Sequence, residues 1–461
     1  MVNVQSTQWC CIIIIRHSAK KIKTFSKNKG VLKKIMKTVL VIGAGSRGTT
    51  YSRIASELGD AFRIVAVAEP MEHRRNYMKE RYGLPEEACH VSWEEFLARP
   101  KFADVVFIAT MDRDHMAPAL AAIEKGYDLL LEKPMGATPE ECCIIERAAA
   151  KKGVFVLVCH VLRFTPFFCA LKNLIDEGRI GRIMHIQHAE CVGNLHQSHS
   201  FVRGNWRNSE ESTPMIVQKT CHDMDIMQWL VGKNCTRVHS FGGLSYFTKE
   251  NAPEGAPERC IDGCPHADTC YYNAATVYRK HLRNSSFCRA ATKKMQPTDE
   301  DVEEMLRTSD YGRCVFRSDN NVVDHQTVNL EFEGGVTASF TMCAFNKGSR
   351  NIRIMGTDGE LIGNMSDDFV TLYDFATREY QQILLKDAVQ NDSIDGGHGG
   401  GDQGIIRALK TCLEGDRSNP SVCTIEQTCR NHLIAYAAEE SRLSGTVVDL
   451  REYEERLGGL L

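Results

Sequence analysis

Lys-Thr-Val-Leu-Val-Ile-Gly-Ala-Gly-Ser-Arg-Gly, residues 37–48, joins an apolar strand directly to the pattern G-x-G-x-x-G. In such a turn the first glycine, Gly43, permits a tight bend, and Gly45 lets the backbone approach a pyrophosphate. Gly48 lets the following helix pack close to the strand. That helix directs its N-terminal amides at phosphate groups. The stretch therefore predicts a dinucleotide-binding strand–turn–helix unit.

The segment that follows supports this interpretation. Thr50–Leu58 is typical of a helix, and Phe62–Ala68 is a second apolar strand that ends at Glu69. An acid about 20 residues beyond the glycines is suited to bind the ribose hydroxyls of NAD. Glu69 favours NAD over NADP, because a carboxylate repels a 2′-phosphate. The nearby Arg74 and Arg75 weaken that preference.

Composition limits the classes of partner. The chain has 461 residues, is 43% hydrophobic and 25% charged, and can bury the cores of two domains. Its formal net charge is −3, so binding to nucleic acid or to a membrane surface has no electrostatic support. The 19 cysteines favour a reducing cytoplasm, with the thiols as core residues or metal ligands.

The first 35 residues differ from the rest. A short apolar run, Trp9–Ile15, is followed by many lysines. It has no basic segment before it and no small-residue cleavage site after it, so it is not typical of a signal peptide. It is also shorter than the roughly 20 apolar residues of a membrane span. We expect residues 1–35 to be a non-native or disordered extension, with Met36 as the true start.

The pattern of elements changes once along the chain. Residues 36–160 alternate short apolar strands with helices, which predicts a parallel Rossmann sheet and an α/β fold. Residues 161–423 contain hairpins, which predict an α+β domain with an open, mainly antiparallel sheet. Within it, residues 251–324 are polar and cysteine-bearing and are interpreted as an insertion. Residues 424–461 are expected to form a C-terminal helix and tail that pack back near the Rossmann domain.

Four further motifs carry a family resemblance. A strand ends in Glu132–Pro134, and Ala109–His115 follows an earlier strand. Arg163–Pro166 opens a helix, and His222-x-x-Asp225-x-x-x-Trp229 lies on another. With the glycine motif, these resemble the Gfo/Idh/MocA family of NAD(P)-dependent sugar oxidoreductases over most of residues 36–461. The resemblance implies a carbohydrate substrate and a homo-oligomer formed through the open sheet. It implies NAD contacts at Gly43, Gly45, Ser46, Arg47, Gly48, Glu69, Thr110, His115, Glu132 and Lys133.

The reaction chemistry fits two of these positions. Oxidation of a secondary alcohol removes a hydride from carbon and a proton from oxygen, so it needs a base and a cation beside the alkoxide. His222 is expected to be the base and Lys133 the cation. The family usually has an Asp one helical turn before this His, and here Gln218 stands there with Lys219 beside it. Gln cannot take up a proton. Lys219 is either a second cation near the substrate or a solvated helix lysine.

Candidate substrate contacts flank the expected cleft. Residues 196–207 are interpreted as a loop of interleaved polar, aromatic and basic residues, which suits a sugar or a loop packed on its own domain. The glycine-rich stretch 396–402 contains His398 and opens a helix at Asp402, which is a substrate contact or an N-cap. The predicted substrate residues are Arg163, His196, His199, Arg203, Asn205, Trp206, Asp225 and His398.

The insertion contains the spacing Cys260-x3-Cys264-x5-Cys270, followed by Cys314. Four cysteines of this kind could form a structural zinc site or hold an iron–sulfur cluster. The alternative is a group of free thiols in a loosely packed segment.

Three functions follow from these residues. The first is an NAD-dependent oxidoreductase that acts on a secondary hydroxyl of a sugar. The second is a redox-neutral NAD-dependent glycosidase, which oxidises C3 transiently, eliminates the aglycone, adds water and reduces the ketone again. It needs a second base, for which His196, His199 and Lys219 are candidates. The third is a non-catalytic NAD-binding regulatory protein, against which Lys133 and His222 argue.

Overall fold

The computed structural model describes residues 36–388 and 399–460. The predicted extension, residues 1–35, and the predicted substrate residue His398 lie outside the described residues.

The first sheet has six parallel strands in the order β3-β2-β1-β4-β5-β6. The central strands carry continuous apolar runs such as Val39–Ile42, and these are buried because helices cover both faces. The order confirms the predicted Rossmann fold. The strands are β1 (Lys37–Ile42), β2 (Phe62–Ala68), β3 (Cys89–His90), β4 (Val105–Ile108), β5 (Asp128–Leu131) and β6 (Val156–Val158).

Helices connect these strands, and the first begins at Ser46, four residues before the predicted start at Thr50. Thr138 caps one of them by accepting a hydrogen bond from the Glu141 amide, Pro139 occupies its first position, and Gly153 ends it. The helices are α1 (Ser46–Glu57), α2 (Glu72–Tyr82), α3 (Glu94–Leu97), α4 (Met116–Glu124) and α5 (Pro139–Lys152).

The second sheet has nine strands in the order β14-β13-β12-β11-β7-β10-β9-β8-β15. Strands β7 and β10 pair in parallel, and the other neighbouring pairs are antiparallel, which confirms the predicted mainly antiparallel sheet. The strands are β7 (Ile183–Cys191), β8 (Cys235–Gly243), β9 (His325–Phe332), β10 (Val336–Cys343), β11 (Ser349–Gly356), β12 (Gly359–Asn364), β13 (Phe369–Asp374), β14 (Glu379–Leu384) and β15 (Val448–Asp449).

Helices cover one face of this sheet, and further helices form the insertion. The apolar residues of the insertion form a separate buried cluster that includes Val277, Cys288 and Leu306. The helices of the domain and insertion are α6 (Pro166–Asp176), α7 (Asn194–His196), which continues as a wider helical turn (Gln197–Arg203), α8 (Met215–Gln218), α9 (Cys221–Val231), α10 (Ala274–Thr276), with the wider turn Val277–His281, α11 (Ser286–Thr292) and α12 (Asp299–Thr308).

The last helices join the two sheets. The Met135 amide donates a hydrogen bond to Nε2 of His432 at 3.1 Å, and the Tyr436 hydroxyl donates to the Gly136 carbonyl at 2.8 Å. No helix among residues 36–388 and 399–460 is long and apolar enough to cross a membrane. These helices are α13 (Leu385–Ala388), α14 (Gly401–Leu413), α15 (Ile425–Ser444) and α16 (Leu450–Leu460).

Candidate functional site

The glycine turn between β1 and α1 is sterically closed at two positions and open at the third. Gly43 has φ +86°, and a Cβ there would lie 2.6 Å from the carbonyl oxygen of Ala109. A Cβ on Gly48 would lie 1.9 Å from the carbonyl oxygen of Gly43. At Gly45 the nearest atom is Nη1 of Arg74 at 3.6 Å. The turn thus leaves its free side at Gly45, as a pyrophosphate cradle requires.

Glu69 braces this turn. Its carboxylate is buried and accepts hydrogen bonds from the amides of Ala44 at 2.6 Å and Met71 at 2.9 Å. Both carboxylate oxygens of Glu69 therefore already accept a hydrogen bond from the backbone. Part of the hydrogen-bonding capacity that the sequence predicts for the ribose hydroxyls is used to hold the loop.

A cavity of about 400 Å³ opens beside the turn. The backbone of Gly45 and Ser46 lines one side, and Arg74 and Tyr77 line another. Helix α1 begins at Ser46, so its free N-terminal amides lie at this cavity. Its position beyond the carboxyl end of β1 and its size suit the adenosine and phosphate end of a dinucleotide.

Arg47 links the glycine turn to the carboxyl edge of the sheet. Its guanidinium donates hydrogen bonds to Glu132 at 2.8 Å and to Asp402 at 2.7 Å, and the Tyr51 hydroxyl donates to the same Glu132 oxygen at 2.7 Å. Burial alone would raise the pKa of Glu132, but the charges of Arg47 and Lys133 hold it below its ordinary value. Glu132 is therefore a charged anchor. Asp402, for which the sequence leaves open a substrate contact or an N-cap, is buried against Arg47, and Gly400 is the N-cap of its helix instead.

His115 fixes the loop that the resemblance placed along the cofactor. It is buried, with Nδ1 2.6 Å from the carbonyl oxygen of Pro134 and Nε2 3.3 Å from that of Thr110. It thereby ties this loop to the strand end that carries Lys133.

Lys133 lies just beyond strand β5, before a cis peptide bond to Pro134. Its ammonium donates a hydrogen bond to the main-chain carbonyl oxygen of Gln218 at 2.6 Å. The Gln218 side chain is buried, and its Oε1 has no hydrogen-bond partner among the described residues. A carbonyl rather than a carboxylate therefore orients Lys133, and the buried amide oxygen of Gln218 is available to a substrate.

A second cavity, of about 180 Å³, lies where the two domains meet. His222 is in the first turn of α9 and is buried, with its ring centroid 6.2 Å from that of His160. The cavity brings together Lys133, His222, Gln218 and Lys219, the four predicted catalytic residues. Its lining consists of Arg47, Thr110, Met111, Asp112, Glu132, Lys133, Cys159, Val161, Leu162, His196, Phe201, Trp206, Gln218, Lys219, His222 and Arg350.

The far wall of this cavity is strongly charged. Lys219 has its Nζ 3.7 Å from Glu190, and Arg350 pairs with Glu190 and, at 2.7 Å, with the carboxylate of Asp223. Burial lowers the pKa of Lys219, and Arg350 and Lys133 lower it further against the opposing effect of Glu190. Burial and the charge of Lys219 lower the pKa of His196 well below its ordinary value.

Four predicted substrate residues have other surroundings. Arg163 donates two hydrogen bonds, each 2.8 Å long, to the buried carboxylate of Asp225. His199 lies 2.7 Å from the Tyr278 hydroxyl, and burial lowers the pKa of His199 to about 3. Arg203 is fully buried and donates to two carbonyl oxygens of the insertion. None of these four lines the catalytic cavity, because each side chain is already bound inside the protein.

The segment 196–207 is helical over Gln197–Arg203 rather than a loop, because the insertion packs against it. Asn205 is exposed and does not line the cavity. His196 and Trp206 do line it, and the Trp206 indole lies 3.4 Å from Asp112, to which it donates a hydrogen bond.

The four cysteines of the predicted metal site are not assembled into one. Cys260 and Cys314 are buried in the insertion, whereas Cys264 and Cys270 are partly exposed. Among residues 36–388 and 399–460, no group of three or more His, Cys, Asp or Glu side chains is arranged to hold a metal ion. The contact with the Cys314 thiol and the nearby Arg203 lower the pKa of Cys260 to about 6, against the effect of burial.

Comparison with known proteins agrees with this geometry. The model of an oxidoreductase family with an NAD-binding Rossmann fold, Gfo/Idh/MocA, matches residues 37–160, and the model of its C-terminal α/β domain matches residues 172–450. The chain belongs to the Gfo/Idh/MocA family. It is therefore an enzyme of an NAD-binding oxidoreductase family, as the motifs predict.

Three proteins similar to this chain differ from it widely in sequence. YteT of Bacillus subtilis (strain 168), named as an oxidoreductase, is 26% identical over 66% of this chain and 72% of its own length. A 2,7-anhydro-N-acetylneuraminate hydratase of Mediterraneibacter gnavus is 28% identical over 45% of this chain and 53% of its own. A levoglucosan dehydrogenase solved with NADH and L-sorbose has a TM-score of 0.66 at 19% identity, over 90% of this chain and 98% of that one. The last shows the shared fold.

The sequence does not mark several residues in or beside the catalytic cavity. Asp112 lies within the motif Ala109–His115 and carries no signal of its own. His160 follows strand β6, and Glu190 and Arg350 lie on neighbouring strands of the second sheet. Alternation along a strand gives a weak signal for Arg350, a buried cation at a position that would otherwise be apolar.

Proposed function

We propose that this enzyme oxidises a secondary hydroxyl of a sugar or sugar derivative with NAD as hydride acceptor. The observation that carries this proposal is the joint placement of Lys133 and His222 in one buried cavity between the domains. The cavity begins beside Arg47 of the glycine turn, so a dinucleotide held at that turn extends towards it.

The residues divide the reaction between them. A nicotinamide ring bound in this cavity would supply the hydride acceptor. His222 takes the hydroxyl proton, and the ammonium of Lys133 stabilises the negative charge that develops on the same oxygen. Gln218 holds Lys133 through its carbonyl oxygen and keeps that ammonium in place. Burial of the cavity strengthens these electrostatic interactions because little water screens them.

The lining supports a polyhydroxylated substrate. Trp206 offers an aromatic face, Arg350 and Lys219 offer donors, and Asp112 and Gln218 offer acceptors. Donors and acceptors around a small cavity match a ring that carries several hydroxyl groups. The hydratase relative, which by its name acts on a sugar acid, supports the same substrate class. A cytoplasmic homo-oligomer remains part of the proposal, from composition and family membership.

A second candidate, the redox-neutral glycosidase, is favoured by Lys219. This chemistry needs a base to remove the C2 proton, and the lowered pKa of Lys219 increases its neutral fraction. His196, whose pKa is also lowered, faces the same cavity. The hydratase name of the Mediterraneibacter relative is consistent with elimination and addition of water.

One experiment separates the two candidates. A panel of sugars and glycosides is incubated with the enzyme and NAD in D2O and followed by NMR, with NADH measured by absorbance. An oxidised sugar that forms in step with NADH, with the glycosidic bond intact, supports the dehydrogenase. Aglycone release with deuterium at C2 and no accumulated NADH supports the glycosidase.

Variants of Lys133 and His222 test whether the observed activity depends on the catalytic cavity. Lys133→Met and His222→Asn should each remove the activity, and both should still bind NADH at the glycine turn. Asn205→Ala is the matched control, because Asn205 is exposed and lies outside the cavity. Unchanged turnover in Lys133→Met would contradict the proposal.

A further inference from the structure

The insertion reaches the cofactor side of the molecule. Helix α11 and the residues after it, through Met295, line the 400 Å³ cavity opposite Gly45 and Ser46. The G-x-G-x-x-G turn does not by itself call for such a wall. The cavity is thus built from two parts of the chain that are more than 200 residues apart in sequence.

The cavity is rich in positive charge. From the Rossmann side Arg53, His73 and Arg74 line it, and from the insertion Arg289, Lys293 and Lys294 line it. Carboxylates of the described residues pair with two of these five Arg and Lys side chains: Glu57 with Arg53 at 2.6 Å and Asp301 with Lys294 at 3.8 Å. Within the described part of the chain, no acidic residue lines the cavity itself. A phosphorylated ligand matches this excess of cations.

The wall formed by the insertion is held in a fixed position. Cys288 and Ala291 of α11 are buried in the apolar cluster of the insertion. That cluster is tied to the segment before α8 by Arg203, which donates to the carbonyl oxygens of Arg313 at 2.7 Å and Tyr272 at 2.6 Å. The helix that carries Arg289, and from whose C-terminal end Lys293 and Lys294 follow, is therefore held in place, and less entropy is lost when these cations bind a ligand.

We propose that the insertion, residues 251–324, closes over the adenosine end of the dinucleotide site, where Arg289, Lys293 and Lys294 bind the phosphates of the cofactor. The ligand is a nicotinamide dinucleotide, bound through its pyrophosphate or, in NADP, through its 2′-phosphate as well. This inference rests on the proposed function, since it deepens the same cofactor site. Its consequence is slow release, so that the cofactor stays bound between turnovers.

Arg74 and Glu69 bear on the choice between the two dinucleotides. Nη1 of Arg74 lies over Gly45, and the Glu69 carboxylate is turned into the loop, where it accepts two backbone hydrogen bonds. The repulsion between a carboxylate and a 2′-phosphate is weakened when backbone donors surround that carboxylate. The test therefore includes both cofactors.

The test measures cofactor release in the full chain, with no substrate present. NADH and NADPH are each bound, and their dissociation is followed by stopped-flow fluorescence after displacement with excess oxidised cofactor. The variant carries Arg289→Ala, Lys293→Ala and Lys294→Ala together. Arg307→Ala is the matched control, an exposed cation of the insertion that does not line the cavity.

We expect the triple variant to release the cofactor about tenfold faster, because three exposed cation–phosphate contacts at about 0.5 kcal/mol each add up to one factor of ten. The Arg307→Ala control should match the unaltered enzyme. Faster release of both cofactors assigns the cations to the pyrophosphate, and faster release of NADPH alone assigns them to the 2′-phosphate.

Release of both cofactors at the unaltered rate by the triple variant would overturn the inference while leaving the proposed function intact. Failure of the unaltered enzyme to bind either dinucleotide would instead contradict the proposed function. Circular dichroism of the triple variant shows whether the insertion remains folded. If it is unfolded, the single variant Arg289→Ala, on an exposed position of α11, gives the deciding rate.

Discussion

Replacement of Arg163 by Met should destabilise the protein strongly without changing the walls of the catalytic cavity. The Arg163 guanidinium donates two hydrogen bonds of 2.8 Å to Asp225, and the two side chains are 4% and 1% exposed. Met fills a similar length of the buried space but cannot pair with the Asp225 carboxylate. The remaining partners of that carboxylate are His160, at 3.7 Å, and the side-chain amide of Asn431.

The magnitude follows from burial. Removal of one partner of a buried ion pair costs about 3–5 kcal/mol, because the remaining charge is neither hydrated nor neutralised. The free energy of unfolding should fall by that amount in Arg163→Met. In the double variant Arg163→Met with Asp225→Asn no charge is left behind, so at least half of the loss should be recovered.

The loss of stability in Arg163→Met depends on pH and becomes smaller as the pH falls. In the unaltered protein the pKa of Asp225 lies below its ordinary value, because the charge of Arg163 outweighs the effect of burial. The stability from this carboxylate is therefore complete above about pH 4, the unfolded value, and falls only in stronger acid. In Arg163→Met the unpaired carboxylate has a raised pKa and binds a proton more readily. The difference in stability should therefore shrink between pH 8 and pH 5.

Urea unfolding followed by circular dichroism at several pH values measures these differences. A loss below about 1 kcal/mol in Arg163→Met would show that the pair does not behave as a buried ion pair, because surface ion pairs show losses of that size. A double variant less stable than the single one would show the same.

Three further predictions test the site and the domain contact. Gly48→Ala should cost about 1–3 kcal/mol of stability, since its Cβ would lie 1.9 Å from a backbone oxygen, whereas Gly45→Ala should weaken NADH binding and leave the urea midpoint unchanged. Tyr436→Phe should lower the free energy of unfolding by about 1 kcal/mol, because the Gly136 carbonyl loses its 2.8 Å hydrogen bond. Lys219→Gln should raise the pKa of His196, since one of the charges that lower it is removed, and NMR titration of labelled histidine measures the shift. A lower or unchanged pKa would contradict that assignment.

Local patterns predicted most of the fold. The strand before Gly43 and the hairpins of residues 161–423 were predictable, since turn residues and periodicity act within a few positions of the chain. These features needed no information from distant parts of the chain.

The site was predicted only where a motif marks it. Lys133 and His222 lie in quoted motifs, and the cavity contains both. The surroundings of Arg203 could not be predicted, because its partner carbonyl lies 110 residues later, in the insertion. The hydrogen bond from Lys133 to the Gln218 carbonyl could not be predicted either, since every residue type has a main-chain carbonyl and the sequence does not show which one accepts. Long-range burial, not local propensity, decides both.

The most direct test of the central claim traces the hydrogen on the reacting carbon. A sugar that reacts in the NMR panel is prepared with deuterium on the carbon that bears the oxidised hydroxyl, and the dinucleotide is analysed by mass spectrometry after the reaction. If hydride transfer occurs at this site, the reduced cofactor contains the deuterium, and Lys133→Met forms no deuterated cofactor. Deuterium that passes to the solvent while an oxidised sugar forms, with an unlabelled reduced cofactor, would contradict hydride transfer at this site.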